Sequence, residues 1–225
     1  MQRFSRAKIS QVTLVVKNYE ICENPSIFIP VKTVVMNKYV IIIIFQLTSI
    51  VSIAQTKTVS DGAALLFKTT KSKLTNDEKN WLFKQLSFTL SKDKKKFMSG
   101  EYEVEVQPYI TDMNKDGVEE VFIVMKSGAV FGNVGESFSL YTKNKTGKLE
   151  SQDELGGGIA MILNSKNGGY PDIAIGGPGF SFPSFRWDGK RYKQYKIIKD
   201  SDLQSGKVKY IDLAEISKIY TDSFK

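Results

Sequence analysis

The chain has 225 residues, with 32 Lys and Arg against 24 Asp and Glu, a net charge of +8, one cysteine and no histidine. Without histidine there is no Ser-His-Asp triad, no imidazole general base and no histidine-ligated metal. The one cysteine, Cys22, excludes an internal disulfide, and no Cys-rich zinc site can form.

In chain order, the first recognisable element is an export signal. Met36-Asn37-Lys38 gives a short basic start, and residues 39–53 carry no charge. Ser52 and Ala54 then place small side chains three and one positions before Gln55. This basic, apolar, small-residue order is that of a cleavable signal peptide. The apolar run is shorter than the roughly 20 residues a spanning helix needs. The expectation is cleavage between Ala54 and Gln55, a secreted or periplasmic product and no stable membrane span after processing. Residues 36–54 are then the signal peptide, and 1–35 read as a doubtful upstream extension. If Met1 is the true start, the run becomes internal and an uncleaved anchor is the alternative. Residues 1–54 hold six basic and two acidic side chains, so processing lowers the net charge from +8 to +4. The one basic cluster, at 92–96, reads as a solvated loop, and no nucleic-acid partner is expected.

Residues 55–100 form an N-terminal helical segment. Thr75 and Glu78 have the spacing of a capping box, and Trp81, Leu82 and Leu86 follow on one face, so a helix is expected over 76–88. Residues 101–225 read as a β-rich domain ending in a helix. Strands are expected at 104–110, 120–126, 137–143, 148–152, 159–163, 172–175, 184–187 and 191–198, separated by Gly, Asn and Asp turns. A last helix is expected from Asp212, with Leu213, Ile216 and Tyr220 as its apolar stripe. A degenerate repeat aligns 114–123 with 166–175. The fold class is mainly β (α+β): two antiparallel β-meander units with an N-terminal helix and a short C-terminal helix.

The sharpest chemical signal is the segment from Asp112 to Glu120. Asp112, Asn114, Asp116 and Glu120 stand at positions one, three, five and nine, with Gly117 at six and the Val118 carbonyl available at seven. Oxygens at this spacing can wrap a hard cation such as calcium, which takes six to eight of them. The EF-hand form would need a bidentate Glu at position twelve, where Ile123 stands. The competing reading is a metal-free turn in which Asp and Asn bond their own backbone. In the second copy Asn164, Lys166 and Gly168 replace three of the oxygen ligands and Asp172 alone keeps its acid, so that copy is expected to be structural.

Asp-x-Asn-x-Asp-Gly-x-x-Glu followed by a β-run resembles the calcium loop of FG-GAP or VCBS repeats, over about residues 110–150 and more loosely 159–198. The resemblance implies propeller-blade-like units of an exported protein and calcium contacts from Asp112, Asn114, Asp116, the Val118 carbonyl and Glu120. Family loops usually end in Asp, so Glu120 is a departure. Two units are also too few to close a propeller, which leaves an open or sandwiched arrangement.

A second, weaker candidate is the aromatic stretch with Phe180, Phe182, Arg186, Trp187 and Tyr192, a set able to stack on sugars or on a protein loop. Phe185 and Trp187 share a strand face, which is also what core residues do. For catalysis only carboxylates remain. Glu101, Glu103 and Glu105 read as a solvated strand face, and Asp153 with Glu154 as a turn. The expected function is therefore an exported, non-enzymatic binding or structural module of the cell envelope, with a protein or glycan partner. A carboxylate-dependent glycan hydrolase and an inhibitor or accessory subunit of another exported protein are the alternatives.

Overall fold

In the computed structural model residues 58–224 are described. The expected export signal, the extension before it and Lys225 lie outside them. Ser60 caps α1 (Asp61–Leu66) by accepting the Ala63 amide. Gly62 lets this helix lie against Phe83, since a Cβ there would meet the ring at 2.2 Å. The expected capping box opens α2 (Asn76–Gln85): Thr75 Oγ1 accepts from the Glu78 amide, and the Glu78 carboxylate accepts from the Thr75 amide at 2.7 Å. The helix ends at Gln85 rather than at 88. Ser87, at φ 56°, enters the left-handed region that terminates a helix.

The first sheet is a meander in sequence order: β1 (Thr89–Leu90), β2 (Phe97–Ser99), β3 (Tyr102–Thr111), β4 (Glu120–Lys126), β5 (Glu136–Lys143) and β6 (Leu149–Gly156), all antiparallel. A short helix, α3 (Gly128–Phe131), lies between β4 and β5. The second sheet holds β7 (Ile159–Asn167), β8 (Tyr170–Gly176), β9 (Ser181–Trp187) and β10 (Tyr192–Lys199) as another antiparallel meander. After α4 (Asp200–Gln204), the strand β11 (Tyr210–Asp212) adds to the free side of β7. Then α5 (Leu213–Asp222) starts, capped by the Asp212 carboxylate on the Ala214 amide.

The two antiparallel meanders and both helices are thus as the sequence indicates. The hairpin β1–β2 lies within the segment read as helical and extends the first sheet. Its strands of two and three residues are too short to show a period. Asp153 and Glu154 lie within β6 rather than in a turn.

The core is layered. The strand β4 is buried on both faces, which is why its sequence is a continuous apolar run instead of an alternation. Val121, Ile123 and Met125 face a cluster with Leu66, Leu74 and Leu82 from the helical side. Phe122 and Val124 face the other way, into the space between the sheets, where Phe138 and Leu140 meet Ile162, Ile173, Phe185 and Tyr192. The outer face of the second sheet is closed by Leu203 and Val208 over Met161, Phe182 and Ile198. The last helix is tied in by Ser217, whose hydroxyl accepts the Ile110 amide at 3.0 Å. Because β2 pairs only with residues 102–104 of β3, the far end of β3 draws on α5 for this contact.

Candidate cation loop and the aromatic strand

The loop of residues 112–119 joins β3 to β4, whose ladder closes with Thr111 opposite Glu120. Two residues take left-handed backbone to turn it, Lys115 at φ 62° and Gly117 at φ 82°. Glycine adopts this conformation freely and lysine at a cost. The side chains fold inward over the amides. Asp112 accepts from the Asp116 amide through Oδ1 and from the Gly117 amide through Oδ2, both at 3.0 Å. Asn114 Oδ1 also accepts from the Asp116 amide, at 3.1 Å, while its Nδ2 donates to Asp116 Oδ2 at 2.7 Å. Asp116 Oδ1 accepts from the amide of the exposed Val118 at 2.8 Å.

One carboxylate oxygen from each of Asp112, Asp116 and Glu120 lies within 4.8 Å of the others. A cation with 2.3–2.6 Å bonds to oxygen fits such a spacing. The three acids differ in exposure: Asp116 is exposed, Asp112 half-buried and Glu120 only 1 % exposed. Burial is what most shifts the Glu120 carboxyl, pushing it up to about 8. Hydrogen bonds from the Met113 amide, the Tyr170 hydroxyl and the Thr111 hydroxyl oppose this, and the charge on Asp112 adds to it. Glu120 Oε2 accepts from Met113 at 2.7 Å and from Thr111 at 3.2 Å.

The neighbouring acid, which the sequence did not single out, has a different role. Strand alternation turns Glu119 to the opposite face. There it is buried, accepting from the Ser72 hydroxyl at 2.8 Å and from the Lys73 amide at 2.8 and 3.0 Å. The Tyr220 hydroxyl approaches it at 3.4 Å. Glu119 therefore joins the N-terminal segment, the loop and α5. The signal available in the sequence was the pair Glu119-Glu120 itself, since two adjacent acids entering a buried strand must point to opposite sides.

In the second copy Asp172 takes the place of Glu120. It is buried, and Arg186 meets it with both arms, Nε to Oδ1 at 2.9 Å and Nη2 to Oδ2 at 2.8 Å. Ser165 adds a hydrogen bond at 2.6 Å. Burial alone would raise this carboxyl, but the bonds from Arg186 and Ser165 outweigh it and hold it below its ordinary value of 3.8. The Arg186 guanidinium also lies 3.7 Å from the centre of the Tyr195 ring.

That pairing divides the aromatic candidates. Arg186 is engaged with Asp172. Phe182 packs under the outer face of the second sheet and Tyr192 in the inter-sheet core, where its hydroxyl donates to the Pro171 carbonyl at 3.0 Å. Trp187 is half-buried against Tyr170, with ring centres 4.4 Å apart. Only Phe180, 84 % exposed, projects freely. These five residues do not converge on one surface.

No family model, curated protein or solved structure matches the chain. Among the described residues no helix is long and apolar enough to cross a membrane.

Proposed function

We propose that the protein is an exported, non-enzymatic binding or structural module of the cell envelope, with the entry to β4 organised by a calcium-type cation. The observation that carries this reading is the convergence of Asp112, Asp116 and Glu120 to within 4.8 Å, on a loop whose oxygens fall at alternate residues. The likeness of that loop to FG-GAP and VCBS calcium loops supports it, as does the export-signal pattern ahead of Gln55. Glu120 is the departure from those loops, and its longer side chain still reaches the other two acids. The partner in this reading is a protein or glycan of the envelope.

A buried acid with a raised pKa beside other acids is also a mark of acid–base catalysis. Glu120 is only 1 % exposed and bonded to Met113 and Thr111, which counts against its meeting a substrate.

Calcium titration by calorimetry, paired with thermal melting, tests the cation. At a free calcium of a hundred times Kd the gain is about 2.7 kcal/mol. In a domain of this size that raises Tm by roughly 5–11 °C. The double variant Asp112→Ala/Asp116→Ala should lose both the heat and the shift. If the unaltered protein melts at the same temperature in millimolar calcium and in chelator, the cation reading fails.

A further inference from the structure

The chain contains two tryptophans, and each lines one of two depressions along β6, the last strand of the first sheet. One depression, of about 410 Å³, is bounded by Trp81, Gln152, Asp153 and Arg191. The other, of about 400 Å³, is bounded by Trp187, Thr142, Lys143 and Lys145. Glu150 and Lys190 stand in the walls of both.

Tyrosines hold both indoles in place. Trp81 meets Tyr141 edge-on at 5.7 Å, and Trp187 meets Tyr192 edge-on at 5.4 Å while lying against Tyr170. Both rings are half-buried, so each keeps a part on its groove wall. An aromatic platform fixed in advance loses little conformational freedom on binding. The polar groups around the rings are divided. Lys143 is paired with Glu78, and Glu154 with Lys193. The side chains of Lys145, Lys190, Arg191 and Asp153 make no hydrogen bond or ion pair with another described residue. Three cations outside ion pairs against two such acids, Glu150 and Asp153, leave a small positive excess that favours an anionic ligand. The two indoles favour one with flat apolar faces, and the carboxylates of Glu150 and Asp153 favour one that donates from hydroxyls. A nucleic-acid strand also meets the cations and the rings, but it offers these carboxylates at most one sugar hydroxyl per residue.

We infer that this groove binds an acidic oligosaccharide, with sugar faces against Trp81 and Trp187 and carboxylates near Lys145, Lys190 and Arg191. The inference rests on the reading of the protein as a binding module, and it makes no use of the cation loop.

Because the chain has no third tryptophan, indole fluorescence reports on this groove alone. Titration of the protein with tetragalacturonate in chelator should give a saturable change in emission. Maltotetraose, which is neutral, should bind at least about tenfold more weakly. The triple variant Lys145→Ala/Lys190→Ala/Arg191→Ala alters exposed or half-exposed side chains, and its melting temperature should match that of the parent. It should lose at least about tenfold in affinity for tetragalacturonate. Asp112→Ala/Asp116→Ala should bind the glycan unchanged, which separates failure of this site from failure of the cation loop. The inference is overturned by any of three results: no saturable change at millimolar tetragalacturonate, equal binding of maltotetraose, or undiminished binding by the triple variant.

Discussion

Replacing Glu119 by alanine removes one carboxylate that three parts of the chain share. The Lys73 amide loses both of its contacts, at 2.8 and 3.0 Å, and the Ser72 hydroxyl loses its acceptor at 2.8 Å. The serine is free to rotate, and its oxygen still accepts from the Leu74 amide. The Lys73 amide cannot turn away, so it bears most of the cost. A hydrogen bond to a charged acceptor contributes about 1.5–3 kcal/mol. Lys73 is exposed, so water takes up part of the loss at its amide, and the cost should be about 2 kcal/mol. For a domain of this length that is a fall in Tm of roughly 4–8 °C. Glu119→Gln keeps one carbonyl oxygen for Lys73 and should lose about 1 kcal/mol. The assay is urea unfolding in chelator, followed by far-ultraviolet circular dichroism, so that any cation is removed from the comparison. A midpoint for Glu119→Ala within about 1 °C of the parent in the matching thermal melt would refute the bridging role.

Three further outcomes follow from the same contacts. Ser217→Ala strands the Ile110 amide at the end of β3, and should cost about 1–3 kcal/mol in urea unfolding, with α5 amides exchanging faster than those of β4 by hydrogen exchange. Asp172 has a folded-state pKa below 3.8, so its contribution is complete above about pH 5 and is lost as pH falls through the lower, folded value. The stability difference between the parent and Asp172→Asn should therefore be flat from pH 7 to about 5 and shrink on further acidification, as read from urea midpoints. Glu120→Gln keeps an acceptor for the Met113 amide but no charge. It should fold like the parent in chelator and bind calcium at least about tenfold more weakly by calorimetry, since calcium affinity tracks ligand charge.

Much of the architecture was legible because it depends on local chemistry. Thr75 and Glu78 announce the start of α2, and Asp212 that of α5. The turn residues separate eight strands near where they occur, and β4 matches its expected span of 120–126. What was hidden depends on distant partners. The strand β11 exists because β7 has a free edge, and nothing in Tyr210, Ile211 and Asp212 declares it. Arg186 reads as a surface cation until Asp172, fourteen residues earlier, is placed beside it. Trp81 reads as one more apolar residue of α2, and its place in a groove with β6 and the β9–β10 turn follows only from the packing of helix on sheet.

The two copies of the repeat treat the same electrostatic difficulty differently. Each buries an acid near the start of a buried strand, Glu120 as the first residue of β4 and Asp172 as the third of β8. A carboxylate taken out of water needs a positive partner, or else it holds its proton. In the second copy the partner is built in: Arg186 meets Asp172 with both arms, and the acid stays ionised. In the first copy the groups brought near Glu120 include Asp112 and Asp116, and the charge on Asp112 opposes its ionisation. A covalently supplied cation and two additional acids are complementary answers to one buried charge. On this argument the loss of oxygen ligands at 164, 166 and 168 and the presence of Arg186 belong to a single change. Arg186→Met, with those ligands not restored, should raise the Asp172 carboxyl, because burial would then act without the guanidinium that outweighs it, and the Asp172 side-chain carboxyl shift followed against pH by NMR reads this.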